Sequence, residues 1–375
     1  MLKTLARATA SPLSSIFGSG FLVIVPVLAA ATGPWSPLAM AGVCAMAFAV
    51  GSVIRFNIAR AEPVLEKDPP RATLLLDRAS DLALVVAYVI SVCLYLHILA
   101  SFVLGGLGAD RGPWPDLLAS GVIVAIAAIG MTKGLQALDA LETWALVVTL
   151  AIILLLLLGF ARYDIAAMGS DSGIVLARPE PHGAWEILTI VAGTLIVVQG
   201  FETPRYLGHV FDSAVRQRAS LWSQVVASAV YLAFVTLALP VVHTLDGTYG
   251  DNSLIDLVRT AASLLSVPLV LAAALSQFSA AVADTHAATG NIEDLSAGRI
   301  TPRWGTLLVA LGALALIWSA GTLQILAIAS RAFAAYYFLQ CLVALRIARR
   351  PGARLAVAAL AAVLLFVTVF AVPAG

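Results

Sequence analysis

From its N-terminus onward the chain alternates long apolar runs with short clusters of charge, proline and glycine. The runs fall at residues 5–32, 38–59, 80–107, 117–131, 141–160, 185–211, 221–242, 261–288, 304–318, 323–347 and 355–372. Most reach the roughly 20 residues that a transmembrane helix needs. They are continuous and lack the in–out alternation of a barrel strand, so helices are expected throughout. The pattern predicts an all-α membrane protein of about eleven spans.

Two runs are interrupted. The first contains "IFGSGFLVIVP" at 16–26, and the sixth contains "VVQGFETPRYLG" at 197–208. Gly18, Ser19 and Gly20 allow backbone to leave the helix without Cβ clashes. Thr203 and Pro204 read as a cap and a first helical residue, so a second short helix is expected to start there. Unwound backbone at membrane depth is tolerated only where protein encloses it or it lines a cavity. The half-helix expected from Phe21 onward would aim N–H groups at the gap, and the half ending near Gln199 would offer carbonyls. Such a junction suits a zwitterion, a small amine or a bare cation. The plainer alternative is that these glycines only let helices pack closely.

Shifted against itself by about 182 positions, the chain superposes runs one to five on runs six to ten, with Gly18 on Gly200. Five is odd, so the second copy enters the membrane from the opposite side, as in the inverted repeats of secondary transporters. The expected division is a first repeat at 1–162, a loop at 163–184, a second repeat at 185–348 and an additional helix at 349–375. Only 11% of residues are charged, and mean hydropathy is +0.98. A soluble domain is nearer a quarter charged. With the N-terminus inside, roughly 17 of the 22 basic residues fall on the cytoplasmic side. A multi-pass protein of a bacterial-type cytoplasmic (inner) membrane is expected. Lys3 and Arg7 before an apolar run also fit a signal peptide, but glycine–serine–glycine has no purpose in a cleaved segment.

Catalysis leaves no trace. Cys44, Cys93 and Cys341 lie within apolar runs, the five histidines lack metal-ligand spacing, and no phosphate-loop, zinc-binding HExxH or nucleophile-elbow motif appears. No enzyme, metal or cofactor is expected, and nothing points to nucleic acid.

"IFGSGFLVIVP", "QGFETP" and "RQRASLW" at 216–222 resemble the first-helix, sixth-helix and seventh-helix segments of the amino acid–polyamine–organocation (APC) superfamily. The resemblance covers the ten-span unit in order. It implies the LeuT-type five-plus-five inverted repeat with discontinuous helices 1 and 6. It implies a substrate held at Gly18, Ser19, Gly20, Gln199, Gly200, Phe201 and Glu202, with Phe17 and Phe21 flanking. In sodium-coupled members of this fold, hydroxyls of helix eight and first-helix carbonyls hold an ion, which would implicate Ser276 and Ser279. Some proton-coupled members carry a helix-five lysine, and span five has none. That favours sodium, while Asp284 leaves a proton mechanism open as ligand, carrier or gate.

Tyr88, Ser91 and Tyr95 share one helical face of span three, and Tyr95 stands nearest mid-membrane. They suit a site lining, or hydrogen bonds between helices. His97 reads as an interior histidine. Arg331, within span ten, needs a partner or an aqueous cavity. The stretch 247–260 could form a re-entrant helix over an outer vestibule. The expected activity is cation-coupled transport of a small amino acid or amine by alternating access. An inorganic-cation carrier of the same fold and a non-transporting receptor are the rivals.

Overall fold

The computed structural model describes residues 2–373 except positions 19, 68, 171–172, 177–181, 209 and 248, with the side chains at 2–3, 136–137 and 139–143 also left aside. Ser19 therefore lies outside the described residues. The first run forms α1 (Leu2–Gly18) and α2 (Ile24–Thr32), separated by a non-helical break. Then come α3 (Ser36–Phe56), the short α4 (Glu62–Leu65), α5 (Arg71–Gly106), α6 (Trp114–Thr132) and α7 (Asp139–Met168). The sixth run gives α8 (Ala184–Ala192) and two 3-10 turns, Leu195–Val198 and Thr203–Leu207. There follow α9 (Ser213–Ala238), α10 (Leu254–Ala262), α11 (Ser266–Leu295), α12 (Pro302–Ile317), α13 (Thr322–Ile347) and α14 (Pro351–Phe370). Among the described residues no strand occurs. Among the described residues nine stretches are long and apolar enough to cross a membrane, with α1 and α12 shorter.

Helix starts fall earlier than the hydropathy alone predicts where charge is paired. Span three was expected from residue 80, but α5 begins at Arg71 and runs 36 residues. At 1.5 Å per residue that is about 54 Å, well beyond the roughly 30 Å hydrocarbon core. Its charged first turns stand outside the apolar zone, where Asp77 pairs with Arg205. The lower end of this helix, with Glu62, Arg205 and Arg216, defines the basic side of the molecule. The stretch around Asp110 and Asp251 defines the opposite side.

The buried core is built on α5, α11 and α13, which pack most extensively on one another. Full burial of Tyr88, Tyr95, Tyr336 and Tyr337 puts phenols in this core. The first run belongs to it as well: Ile16, Phe17 and Val23 to Val25 are buried, and α1 packs on α9 and α11. That is the packing of a working element of the bundle. Lipid-facing character falls to α6, α12 and α14, whose outer leucines, valines and tryptophans are exposed.

Arg331 finds a structural partner. Its Nε donates to the Ala371 carbonyl at 2.6 Å, which caps the end of α14 with a cation where the helix dipole is negative. The stretch 247–260 does carry a helix, α10, whose apolar face (Leu254, Ile255, Leu257, Val258) is buried against α7 and α11.

The broken sixth run is supported by α13. The Ser330 hydroxyl donates to the Gly193 carbonyl at 2.6 Å and accepts from the Ile196 N–H at 3.1 Å. Both groups are orphaned where α8 gives way to the 3-10 turn, and Ser330 is fully buried. Ser330→Ala should cost about 1–3 kcal/mol, the penalty of leaving buried partners unsatisfied. Thermal unfolding in detergent would show it as a lowered midpoint. An unchanged midpoint would mean the break is held by something else.

Candidate functional site

The two breaks meet. Gly20 has φ +138° and Gly200 φ +124°, values that favour glycine. A Cβ on Gly20 would stand 2.8 Å from the Val197 side chain, and one on Gly200 would stand 2.8 Å from the Ile16 nitrogen. Each break is thus packed on the other's helix, with no room for a methyl group. Gly18 differs. It is the last residue of α1, and its missing Cβ admits the Ala280 methyl of α11. The packing role considered for these glycines holds for Gly18, and the conformational role for Gly20 and Gly200. Gly20 and Gly200 thus share a positive φ at the two breaks, which Gly18 does not.

Helix start points shift in the same way. The half-helix expected from Phe21 resumes at Ile24, after a turn closed by Val23 N–H to Gly20 carbonyl at 3.1 Å. The restart after Gly200 is a five-residue 3-10 turn, with Glu202 at its N-cap and Thr203 as its first residue. The reason is local: the Thr203 hydroxyl donates back to the Gly200 carbonyl at 2.9 Å, which draws Thr203 into the turn.

Side chains cover the peptide groups that the breaks release. The Tyr231 hydroxyl of α9 lies 3.0 Å from the Ile16 carbonyl and 2.7 Å from the Val197 carbonyl, tying the two broken helices together. The Gly200 N–H donates to Glu202 Oε2 at 2.9 Å. The expected grip by bare backbone is therefore, in this closed arrangement, a lattice of backbone and hydroxyl. Phe17 and Phe21 join Tyr231 and Phe234 in an aromatic cluster, with ring centroids 4.1–6.0 Å apart. They pack the junction.

Two carboxyl groups stand at the centre. Glu202 is fully buried; Oε2 also accepts from the Tyr337 hydroxyl of α13 at 2.8 Å, while Oε1 has no hydrogen-bond partner. The Phe201 ring stacks on Tyr337 at 5.3 Å. Asp284 of α11 accepts a hydrogen bond from the Ser91 hydroxyl of α5. Tyr95 reaches Ser91 and Asp284, and its hydroxyl also takes the Gln199 amide at 2.9 Å. Gln199 extends further to the Ser15 hydroxyl at 3.4 Å. Tyr88 lies within electrostatic reach of both Glu202 and Asp284, and its fully buried hydroxyl has no hydrogen-bond partner.

The structure thus brings together Tyr95, Gln199, Gly200, Phe201, Glu202 and Asp284. Asp284 stands apart from the serines of the same helix. Ser279 and Asp284 are five residues apart, about 140° around an α-helix. Asp284 faces α5, whereas Ser276 borders a small space between α1 and α7 with Phe17 and Thr149. The Ser276 hydroxyl donates to its own helix at Ala273 (3.3 Å), and that of Ser279 is buried without a partner. His97 is an interior histidine with its Nδ1 3.5 Å from the Cys93 sulfur and its Nε2 3.4 Å from Asp116, a proximity without hydrogen-bond geometry. Tyr231, Tyr337 and Ser330 were given no role from the sequence; a hydroxyl within an apolar run is the signal that could have marked them.

Every described residue of the junction is buried. On the basic side lies a cleft of about 450 Å³, floored by Asp77, Asp81, Arg205 and Tyr206. Arg205 pairs with Asp77, and Arg216 clamps Glu62 through two bonds of 2.9 and 2.6 Å while holding the Arg205 carbonyl at 2.9 Å. On the opposite side Asp251 is held by Ser101 (2.7 Å) and Thr322 (2.6 Å), linking α5 to α13.

A bundle with two half-helices meeting end to end around buried polar groups, latched on both faces, is a membrane transporter of the LeuT-like fold. The chain belongs to the APC superfamily of transporters, whose profile it matches over residues 2–372, and this is not an enzyme family. It is 36% identical over 347 residues to an uncharacterized protein of Aquifex aeolicus (strain VF5), covering 91% of this chain and 84% of that one. Its fold is similar to that of Mhp1, a nucleobase-cation-symport-1 family transporter in a closed conformation with bromovinylhydantoin bound. The TM-score is 0.58 at 11% identity, over 90% of this chain and 76% of that one. It is also similar to a mutant manganese transporter of Eremococcus coleocola, with a TM-score of 0.55 at 11% identity, over 98% and 86% of the two chains.

Proposed function

We propose that the protein is a cation-coupled secondary transporter of a small amine or amino acid, working by alternating access. The observation that carries this reading is the pair of buried carboxyl groups, Glu202 and Asp284, set among phenol rings at the meeting of the two helix breaks. Among the described residues no lysine, arginine or histidine forms an ion pair with Glu202. An acidic centre walled by Tyr88, Phe201 and Tyr337 suits an ammonium group, which gains from both carboxylate and aromatic faces. The freed N–H groups of the breaks would serve a carboxylate once the halves part. Helices α1, α2, α3 and α9 with the sixth run would rock against the rest. Residues 1–162 and 185–348 would form the two repeats, 163–184 a linking loop and 349–375 an added helix. The basic side would face the cytoplasm of a bacterial-type inner membrane, with the N-terminus inside.

Proteoliposome uptake of a radiolabelled amino acid and amine panel, under an imposed sodium or proton gradient, tests this. At least one amine-bearing solute should accumulate against its gradient. Binding without flux would make the protein a receptor, and rubidium flux indifferent to every solute would make it an inorganic-cation carrier; either overturns the reading.

A further inference from the structure

Besides the cleft that holds Asp81 and Arg205, a second hollow opens on the basic side, on the other flank of α11. It has a volume of about 830 Å³ and lies between the end of α6, the last turns of α11 and the start of α12. Its floor is close-packed. A Cβ on Gly130 of α6 would stand 2.8 Å from the Thr306 methyl of α12, and one on Gly305 would stand 3.3 Å from Thr289 of α11. Small residues at these crossings draw the three backbones together. Gly290, by contrast, has open space where a side chain would be.

Cations line the rim. Lys133 and Arg303 are exposed, and among the described residues neither forms an ion pair. Glu293 is the one acid among the described lining residues, and His286 adds a ring N–H. Two unpaired cations against one carboxylate leave the hollow positive. The Thr301 side chain does not cap α12, so the positive dipole end of that helix adds to the field.

The depth is that of lipid headgroups. Helix α6 ends at Thr132 and α12 begins at Pro302, so both leave the apolar zone here. Trp144 and Trp304, exposed near the starts of α7 and α12, mark the aromatic belt of a membrane–water boundary. Trp304, Leu308 and Leu311 are exposed at i, i+4 and i+7, a single stripe of α12 leading from the hollow into the hydrocarbon. A free anion would use the cations and leave that stripe idle, whereas a lipid uses both.

We propose that this hollow binds the headgroup of an anionic phospholipid of the phosphatidylglycerol type. The phosphate sits between Lys133 and Arg303, whose guanidinium can donate to two of its oxygens at once. The headgroup hydroxyls reach Glu293, and an acyl chain follows the α12 stripe. Phosphatidylethanolamine brings no net charge to answer the positive hollow. The site is separate from the junction of the two breaks and independent of any solute bound there.

Native mass spectrometry of the delipidated full-length protein in detergent tests this. With phosphatidylglycerol and phosphatidylethanolamine added in equal amounts, a single phosphatidylglycerol should bind first. Its affinity should fall about tenfold or more in the double variant Lys133→Gln, Arg303→Gln. The double variant Arg349→Gln, Arg350→Gln removes equal charge from exposed positions before α14 and should keep the wild-type affinity. Equal binding of the two lipids by the wild type overturns the proposal without recourse to any variant. Equal loss in both double variants would show diffuse attraction to the basic side, and the site falls. Displacement of the lipid by millimolar glycerol 3-phosphate would make the hollow a site for a soluble phosphate and overturn the lipid assignment.

Discussion

Gly200→Ala should abolish transport while leaving the protein in the membrane. The φ of +124° is one that only glycine enters readily, and forcing alanine into it costs about 1–3 kcal/mol. The new Cβ would also stand 2.8 Å from the Ile16 nitrogen and 2.9 Å from the Ser15 Cβ. One of those neighbours is backbone of the facing broken helix, so it cannot rotate aside. Overpacking of that kind adds about 1–3 kcal/mol. The two costs fall on the same junction and pry the halves apart where Tyr231 holds both. Gly20→Leu meets the mirror situation, with φ +138° and the Val197 side chain 2.8 Å from its Cβ. Uptake into proteoliposomes should fall to background in both variants. Membrane fractionation should show them inserted, since the apolar runs that direct insertion are intact. Wild-type uptake by Gly200→Ala would mean that the meeting of the breaks is not where transport happens.

How far the sequence reads into this structure depends on the kind of signal. Span number and the two breaks were legible because hydropathy and backbone permissiveness are local properties: a run of leucines or a glycine at 20 and 200 carries its meaning alone. The partners of the breaks were not legible. That Tyr231 would bridge Ile16 and Val197, or Ser330 would mend the break after α8, depends on how α9 and α13 lie against the sixth run. No periodicity within those helices encodes it. Tyr95 and Asp284 were nameable as rare polar groups in apolar helices, but their link through Ser91 needs the crossing of α5 and α11.

Arg216→Ala should open the basic side. This guanidinium makes two bonds to Glu62 and one each to the carbonyls of Arg205 and Phe211, so it joins α4, the restarted sixth run and α9. Breaking a fully buried ion pair by deleting one partner costs about 3–5 kcal/mol. The Glu62 side chain retains 17% exposure, so water would relieve part of the loss, leaving roughly 2–3 kcal/mol. If that cost falls on the closed arrangement, the opening equilibrium moves by about thirtyfold or more. The protein's own thiols report it. Cys341 is buried on α13, next to Gln340, which binds Asn57 and Ser80 on the basic side. Cys93 is buried beside His97 on the way to the opposite side. N-ethylmaleimide should therefore modify Cys341 much faster in Arg216→Ala than in the wild type, read by mass spectrometry of peptides, with Cys93 unchanged. General loosening would raise both rates together. An unchanged rate at Cys341 would show that the clamp around Arg216 stabilises the fold without holding the gate, since only a gate couples its loss to one side of the bundle.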